Sequence, residues 1–331
     1  MSDTPWYLTD FKKAMTRTGR IVPQVEQQII RSQEAKASQR DTKFLHPSEI
    51  CKKDWCPRSS WYVIKDEKRP NESVNFQRMN VFAEGTAIHD KWQAWLAETG
   101  ILEGRWECAV CKNSWWGVSK DNTHCYVCNN SLIRYREVPI KNEEFWLLGH
   151  SDGIIADAKG KAVLEIKSVG VGTLRFESPE QFAKFSKGEL SLDKMWKEIK
   201  TPFYSHLRQI NLYMYCLGIT EGVILYEWKP TQEVKEFQVK FQEELISSIL
   251  AGCSTVKSAL DNNTTPMRPM NASLDAQMCK TCPHYNRCWS IDEDQSSDTN
   301  VTRGELPVQV RPATKAGKAG TPATRVIRRS S

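Results

Sequence analysis

Asp152, Glu165 and Lys167 are the residues whose types and spacing best suit chemistry. They fall inside Phe145–Ser168, FWLLGHSDGIIADAKGKAVLEIKS, which reads as two strands joined by a short turn. Phe145 to Ile155 is mostly apolar and Ala162 to Ile166 is a second apolar run. Ala156 to Lys161 between them carries the turn formers Asp157 and Gly160. Carboxylates and lysines rarely enter a sheet core unless they are paired or hold a metal. Glu165 and Lys167 are two apart on a strand, so they point to one face. A carboxylate pair able to hold a cation, with an ammonium beside it, suits hydrolysis of a phosphodiester.

Other elements must position these groups. Asn75 to Glu98 reads as a helix with Ile88, Trp92 and Trp95/Leu96 at helical spacing. It carries Glu84-Gly85-x-x-x-His89, in which the missing Gly85 side chain leaves room beside the imidazole. A lone histidine on such a helix is more often structural than a ligand. Thr201-Pro202 supplies an N-cap and first-position residue for a helix to about Leu217. On it His206, Gln209 and Tyr213 share a face, either a functional stripe or an ordinary solvated one. Leu132 to Ile140 reads as an edge strand, and Gly222–Trp228 with Val234–Phe241 as a hairpin turning at Lys229-Pro230. His46 to Ile64 starts a helix with Ser48 as N-cap, Val169–Asp193 is loop-rich with mixed helix, and Glu243–Leu260 is helical.

The chain has eleven cysteines, most of them in C-x-x-C pairs, which argues for metal coordination rather than a disulfide framework. Cys108/Cys111 and Cys125/Cys128 form two such pairs with thirteen residues between, the spacing of a tetrahedral zinc ribbon. The ribbon either staples a loop or, through Trp115, Trp116, Lys112 and Lys120, contacts nucleic acid. Cys279, Cys282 and Cys288 lack a fourth cysteine nearby, so a four-ligand cluster needs Cys51 or Cys56. Cys216 and Cys253 are isolated and read as packing residues.

The chain of 331 residues carries 46 Lys/Arg against 40 Asp/Glu, a net charge of +6. Val301 to Ser331 holds seven Lys/Arg and one acid, Glu305, leaving 39 basic and 39 acidic side chains in residues 1–300. Nucleic-acid binding by the folded part therefore needs a local patch rather than bulk charge. There is no membrane-length apolar run and no signal-peptide pattern, which places the expectation in the cytoplasm, away from membranes. Residues 1–43 are a basic segment with helices expected at Thr9–Thr18 and Val25–Ser38. Its Arg17, Arg20, Arg31 and Arg40 either touch nucleic acid or form a solvated face. From about Asp292 the composition is that of a disordered basic tail.

Five features stand in one order: a Cys-Pro-Arg segment, a Gly-x-x-x-His helix, Gly-x-x-Asp followed by Glu-x-Lys, a Gln-x-x-x-Tyr helix, and a closing C-x2-C-x5-C. This order resembles the RecB-type exonucleases of the PD-(D/E)XK superfamily. It is most similar to their iron–sulfur branch, with the CRISPR-associated Cas-four proteins, the AddB nuclease domain and phage-encoded relatives. The resemblance spans roughly Ser48 to Cys288. It implies an α/β, restriction-endonuclease-like core, a mixed central sheet flanked by helices, over residues 44–291. That core carries an inserted zinc ribbon at 105–131 and a C-terminal iron–sulfur region at 279–288, with a tail at 292–331.

It further implies His89, Asp152 and Glu165, with the Ile166 carbonyl, as ligands of Mg2+ or Mn2+, and Lys167 as the group that activates water with its pKa lowered by the cation. Gln209 and Tyr213 complete the catalytic set by positioning DNA or the lysine. Cys56, Cys279, Cys282 and Cys288 would hold a [4Fe–4S] cluster, with a second zinc site as the competing reading and Cys51 as the competing fourth ligand. Ser151 stands where the superfamily's name has proline, and the ribbon lies outside the core pattern.

The implied activity is a DNA exonuclease acting on single strands or ends, often from the 5′ end, in recombination, repair, replication or CRISPR-type processing. A recombinase or helicase would be its partner, because no P-loop appears and hence no nucleotide cofactor is expected. A structure-selective or restriction-like endonuclease is one alternative. A zinc-ribbon nucleic-acid scaffold with a vestigial site is another.

Overall fold

The computed structural model describes residues 19, 21–37, 42–66 and 75–290. The expected helix at Thr9–Thr18, Arg17, Arg20 and Arg40, and the tail at 292–331 lie outside the described residues. Contacts divide the chain into residues 1–285 and 286–331.

In the first unit the order is α1 (Val22–Ala37), α2 (Pro47–Ile50), α3 (Pro57–Asp66), α4 (Phe76–Glu98), then strands β1 (Leu102–Cys108), β2 (Ser114–Val118), β3 (Ile133–Arg136), β4 (Val138–Asn142), β5 (Leu147–Ser151), β6 (Gly153–Asp157) and β7 (Gly160–Val169). Helices α5 (Val171–Glu177), α6 (Pro179–Ser186), α7 (Leu192–Glu198) and α8 (Tyr204–Leu217) follow, then β8 (Glu221–Trp228), β9 (Val234–Lys240), α9 (Ser247–Asp261) and α10 (Gln277–Lys280). In the second unit the described residues end a short helix, α11 (Tyr285–Trp289).

The fold is α/β, with a mixed central sheet flanked by helices. The seven-stranded sheet runs β2-β1-β6-β7-β8-β9, with β3 also paired to β1, and β4 and β5 form a separate two-stranded sheet. Among the described strands only β7 and β8 pair in parallel, and the helices α5–α8 supply the crossover that a parallel pair requires. Alternation along β7 decides what each face meets. Leu164 and Ile166 pack with Ile88, Leu102 and Leu225, against Trp92 and Leu96 of α4. Val163 and Val169 join the cluster of Ile210, Tyr213 and Met214 from α8 with Ile224, Tyr226 and Trp228 from β8. Glu165 and Lys167 share the parity of Val163, so they face α8. Among the described residues no helix is long and apolar enough to cross a membrane.

Several expected elements differ in detail. The strand expected over Phe145–Ile155 breaks at Asp152: β5 pairs with β4 in the small sheet, while β6 pairs with β7 and β1 in the large one. Likewise the strand expected over Leu132–Ile140 breaks at Glu137, with β3 in the large sheet and β4 in the small one. Both chains thus change sheets at neighbouring points.

Ser48 is not an N-cap. Pro47 lacks an N–H and takes the first helical position, so the cap moves to His46, whose carbonyl accepts from Glu49 and Ile50. Nor does Thr201 cap α8. The Phe203 N–H donates to Tyr226 Oη at 2.9 Å, holding 201–203 outside the helix, which starts at Tyr204. Val169–Asp193 is more helical than expected, and the helix expected over Glu243–Leu260 opens as a 3-10 turn, Glu243–Leu245, before α9. Arg31 is exposed on α1, which begins at Val22 rather than Val25. Cys253 is buried and Cys216 half-buried.

Candidate metal centre

The junction of the two sheets pins Asp152 from several sides. Its backbone carbonyl accepts from Gln93 Nε2 at 3.0 Å and from Tyr135 Oη at 3.1 Å. Its Oδ2 accepts from the Ile166 N–H at 2.6 Å, and Oδ1 lies 2.9 Å from His89 Nδ1. Ser151 is buried beside it and donates from Oγ to the Leu164 carbonyl at 3.0 Å, tying β5 to β7 where a proline has no donor to offer. Gly153 is required next: a Cβ there would stand 2.7 Å from Leu102 Cδ1 and 3.0 Å from Tyr135 Oη. Gly85 does not make room for the imidazole as the spacing suggested. Its bare Cα lets α4 approach β7, where a Cβ would sit 3.3 Å from Ser168 Oγ.

His89, Glu137 and Asp152 place ligand atoms within 4.8 Å of one another and can hold a metal ion. Glu137 was not anticipated from the sequence. Its signal is an acid in an otherwise alternating strand, at the point where that strand changes sheets. The group opens on a cavity of about 680 Å3 lined by residues that include Phe82, Gly85, His89, Asp90, Glu137 and Ser168.

Glu165 continues the site on the α8 side of β7. Its Oε1 lies 2.5 Å from Lys167 Nζ, which donates to Gln209 Oε1 at 3.1 Å, while Gln209 Nε2 donates to Tyr213 Oη at 3.0 Å. The stripe on α8 is therefore buried and polar rather than solvated. Ile166 contributes through its backbone, as noted. The expected residues fall into two bonded groups about β7, His89–Asp152–Ile166 and Glu165–Lys167–Gln209–Tyr213, coupled through the charges of Glu165, Asp152 and His89.

Electrostatics mark a place short of positive charge. Burial raises the Glu165 carboxyl to about 7, and Asp152 pushes the same way against the opposing pull of Lys167. Burial disfavours the ammonium of Lys167, but Glu165 and Asp152 outweigh it and raise its pKa; the lowered value expected of this lysine presumes a bound cation. Burial likewise disfavours charge on His89, yet its hydrogen bond to Asp152 and the nearby carboxylates raise its pKa. Glu137 is raised by desolvation and by the Asp152 charge. A cation placed among these carboxylates relieves their repulsion and competes with protons for them.

His206 behaves in the opposite sense. Tyr226 Oη accepts from Phe203 and so donates its own proton to His206 Nδ1, 2.6 Å away. Burial, then Lys167, lowers the His206 pKa well below its ordinary 6.5. The folded state then binds fewer protons than the unfolded state below that value, so this group's stability contribution is full above it and is lost as pH falls. His206→Gln is expected to shrink the drop in melting temperature between pH 7.5 and pH 5. An unchanged drop would mean that His206 titrates normally.

Two further features frame the centre. The Glu227 carboxylate is 1% exposed and accepts from Lys91 Nζ and Trp92 Nε1, each at 2.6 Å, joining α4 to β8. Cys108, Cys111, Cys125 and Cys128 place their sulfurs within 4.8 Å of one another and can hold a metal ion. The Cys111 and Val110 N–H groups point at the Cys108 sulfur and lower its pKa to about 6; Cys128 and Val127 lower Cys125 in the same way. Cys111 is pushed up to about 12: an N–H from Asn113 favours its thiolate, but burial and the neighbouring thiols oppose it. A cation bound between the four sulfurs would hold them all as thiolates.

Among the other cysteines, Cys56 directly precedes α3. Cys282 Sγ lies 3.6 Å from Ser59 Oγ on that helix, and Arg58 donates to the Pro266 carbonyl at 2.9 Å. Cys279 is on α10, and Cys288 is on α11 in the second unit. Cys51 is buried, with its thiol pushed up by that burial despite nearby Arg208.

No protein-family model and no curated protein matches the sequence. Among solved structures the chain is similar to the crystal structure of SSO0001, at 14% identity over 80% of this chain and 94% of that one, with a TM-score of 0.36. It is similar to the alkaline exonuclease LHK-Exo from Laribacter hongkongensis, at 11% identity over 67% of this chain and 89% of that one, with a TM-score of 0.37. The same exonuclease in complex with dAMP gives 12% identity, the same coverage and a TM-score of 0.35.

Proposed function

We propose that this protein is a metal-dependent DNA nuclease that hydrolyses phosphodiester bonds. The observation that carries the reading is a His–Glu–Asp ligand group coupled by charge to a buried Glu165–Lys167–Gln209–Tyr213 chain on β7 and α8. Hard oxygen donors with one imidazole suit Mg2+ or, better, Mn2+. Such an ion supplies a lower pKa to water and screens charge on the phosphoryl oxygens. His89, Glu137, Asp152 and Glu165 would hold it. The Ile166 carbonyl is a further ligand on this reading, because its N–H already points to the strand edge that β6 leaves open beyond Leu164.

Lys167 stands where it can orient the attacking water and take or return its proton. Gln209 fixes the ammonium, and Tyr213 fixes Gln209. Tyr213 stays a neutral donor, since burial raises its pKa well above the ordinary value.

On the same reading Cys108, Cys111, Cys125 and Cys128 hold zinc. In the first unit Cys56, Cys279 and Cys282 are the proposed iron–sulfur ligands, with Cys56 favoured over Cys51 because Cys282 lies against the helix that Cys56 precedes. Single strands or ends, cut from the 5′ end, are the proposed substrate. A cytoplasmic recombinase or helicase would deliver it.

The test is degradation of end-labelled single strands with Mn2+ or Mg2+. The wild type is expected to cut, and Lys167→Ala to cut about a thousandfold more slowly. Near wild-type cutting by that variant removes Lys167 from the mechanism, and no cutting by the wild type with either ion removes the nuclease reading. A covalently closed circular single strand separates the modes, since an exonuclease leaves it intact.

A further inference from the structure

The face of the large sheet that carries Glu165 and Lys167 continues outward through β6 and β1 to β2 and β3. Register settles which side chains share it. Val163 pairs with Ile154, and Ile154 lies beside Glu103. From Glu103, alternation along β1 puts Arg105 and Glu107 on the same side. Arg105 is paired directly with Arg136 on β3 and with Trp116 on β2, and Glu107 with Arg134. One face therefore presents Arg105, Arg134, Arg136 and Trp116, all exposed, with Lys161 of β7 at its inner margin.

This arrangement is unfavourable for the protein alone. Like charges directly opposite on neighbouring strands repel, and Arg105 faces Arg136 across the ladder. The acids on this face are already engaged. Glu103 accepts from Lys161 and Trp116 at 2.8 Å each, and Glu107 binds Arg136 at 2.8 Å rather than the Arg134 directly opposite it. Arg105 and Arg134 make no hydrogen bond or ion pair among the described residues. Two guanidiniums that no carboxylate binds directly, beside a half-exposed indole, match a strand of phosphates with stacked bases.

We infer that this face of β1–β3 is a track for the phosphodiester backbone of a single DNA strand, and that the four-cysteine ribbon holds the track rigid. The inference rests on the nuclease reading for its choice of substrate. Charge complementarity selects the occupant: the folded part carries no bulk positive charge, so the affinity must come from such a patch. Recognition through guanidinium–phosphate contacts is independent of sequence.

The test is fluorescence anisotropy of labelled oligothymidylate and oligodeoxyadenylate, with no divalent cation added, across a range of salt. Arg105→Gln/Arg134→Gln is expected to weaken binding to both by about tenfold and to lower the salt slope by about 1.4, the share of two phosphate contacts on a single strand. Arg105→Lys/Arg134→Lys keeps the slope. Lys187→Gln/Lys194→Gln, an equal charge loss elsewhere, changes affinity by less than about twofold. Unaltered melting and metal content show that the double variant is folded.

Wild-type affinity and slope in Arg105→Gln/Arg134→Gln overturn the track, as does an equal loss in the Lys187/Lys194 control. Cutting by the wild type with Mn2+ together with unchanged binding by the variant overturns the track alone. Track-dependent binding without any cutting upholds the track and removes the nuclease reading alone.

Discussion

Replacing Asp152 by alanine is expected to lower metal-dependent cleavage of single-stranded DNA by at least about ten-thousandfold, the largest effect of any single change in the site. The Asp152 side chain joins the imidazole to the backbone of β7. Its two oxygens meet His89 and the Ile166 N–H, so one substitution removes a ligand, frees the imidazole and orphans a buried donor. The orphaned N–H costs about 1–3 kcal/mol, which leaves a folded protein to assay. Asp152→Asn separates charge from geometry. Its carbonyl oxygen still accepts from Ile166, yet the amide cannot serve as an anionic ligand, so activity should fall nearly as far with less loss of stability. The His89 pKa, followed by the NMR shifts of its ring protons, should drop in both variants because the Asp152 charge that raises it is gone. Cleavage by Asp152→Ala within about tenfold of wild type would place the ion elsewhere.

The second large effect is expected from the ribbon. Cys125→Ser, or removal of metal by a chelator, should speed tryptic cleavage within residues 105–131 by at least about tenfold and lower nuclease activity as well. The ribbon is not a separate appendage. Strand β1 starts in the main core at Leu102 and ends at Cys108, and β3, which pairs with it, carries the Tyr135 that holds the Asp152 carbonyl. Loosening the cysteines releases β2 and β3 first, then the hydroxyl that fixes Asp152. Cys108 and Cys125 are fully buried, so without a cation their thiolates would lack a partner that water could replace. Metal analysis should give one ion fewer per chain for Cys125→Ser. Unchanged proteolysis and activity with that ion lost would make the ribbon a passive loop.

The carboxylates and the lysine were legible in the sequence because charges in apolar strands have few explanations. Helical spacing left His89 as a structural residue and the Gln209/Tyr213 stripe undecided; only the order of the motifs along the chain grouped them with the carboxylates. Glu137 was not legible. Its role depends on the strand from Leu132 changing sheets opposite Asp152, a matter of long-range pairing that local alternation does not encode. The caps at Ser48 and Thr201 were misplaced for a related reason. In one case a proline took the position, and in the other a distant tyrosine hydroxyl, on Tyr226, held the chain extended. Gly85 shows a contact read correctly as a need for space but assigned to the wrong neighbour.

The Glu227 clamp gives helix α4 a locating peg. Lys91 and Trp92 follow His89 closely on that helix, and both close on one buried carboxylate. Sliding α4 by a single residue would move it about 1.5 Å and turn it about 100°, which strands Glu227 without donors at the moment the imidazole leaves Asp152. Histidine position is thus indexed by a charge on β8, two strands from β6, which begins directly after Asp152. A one-residue insertion between His89 and Trp92 is therefore expected to detune the candidate metal centre while leaving every proposed ligand in the sequence.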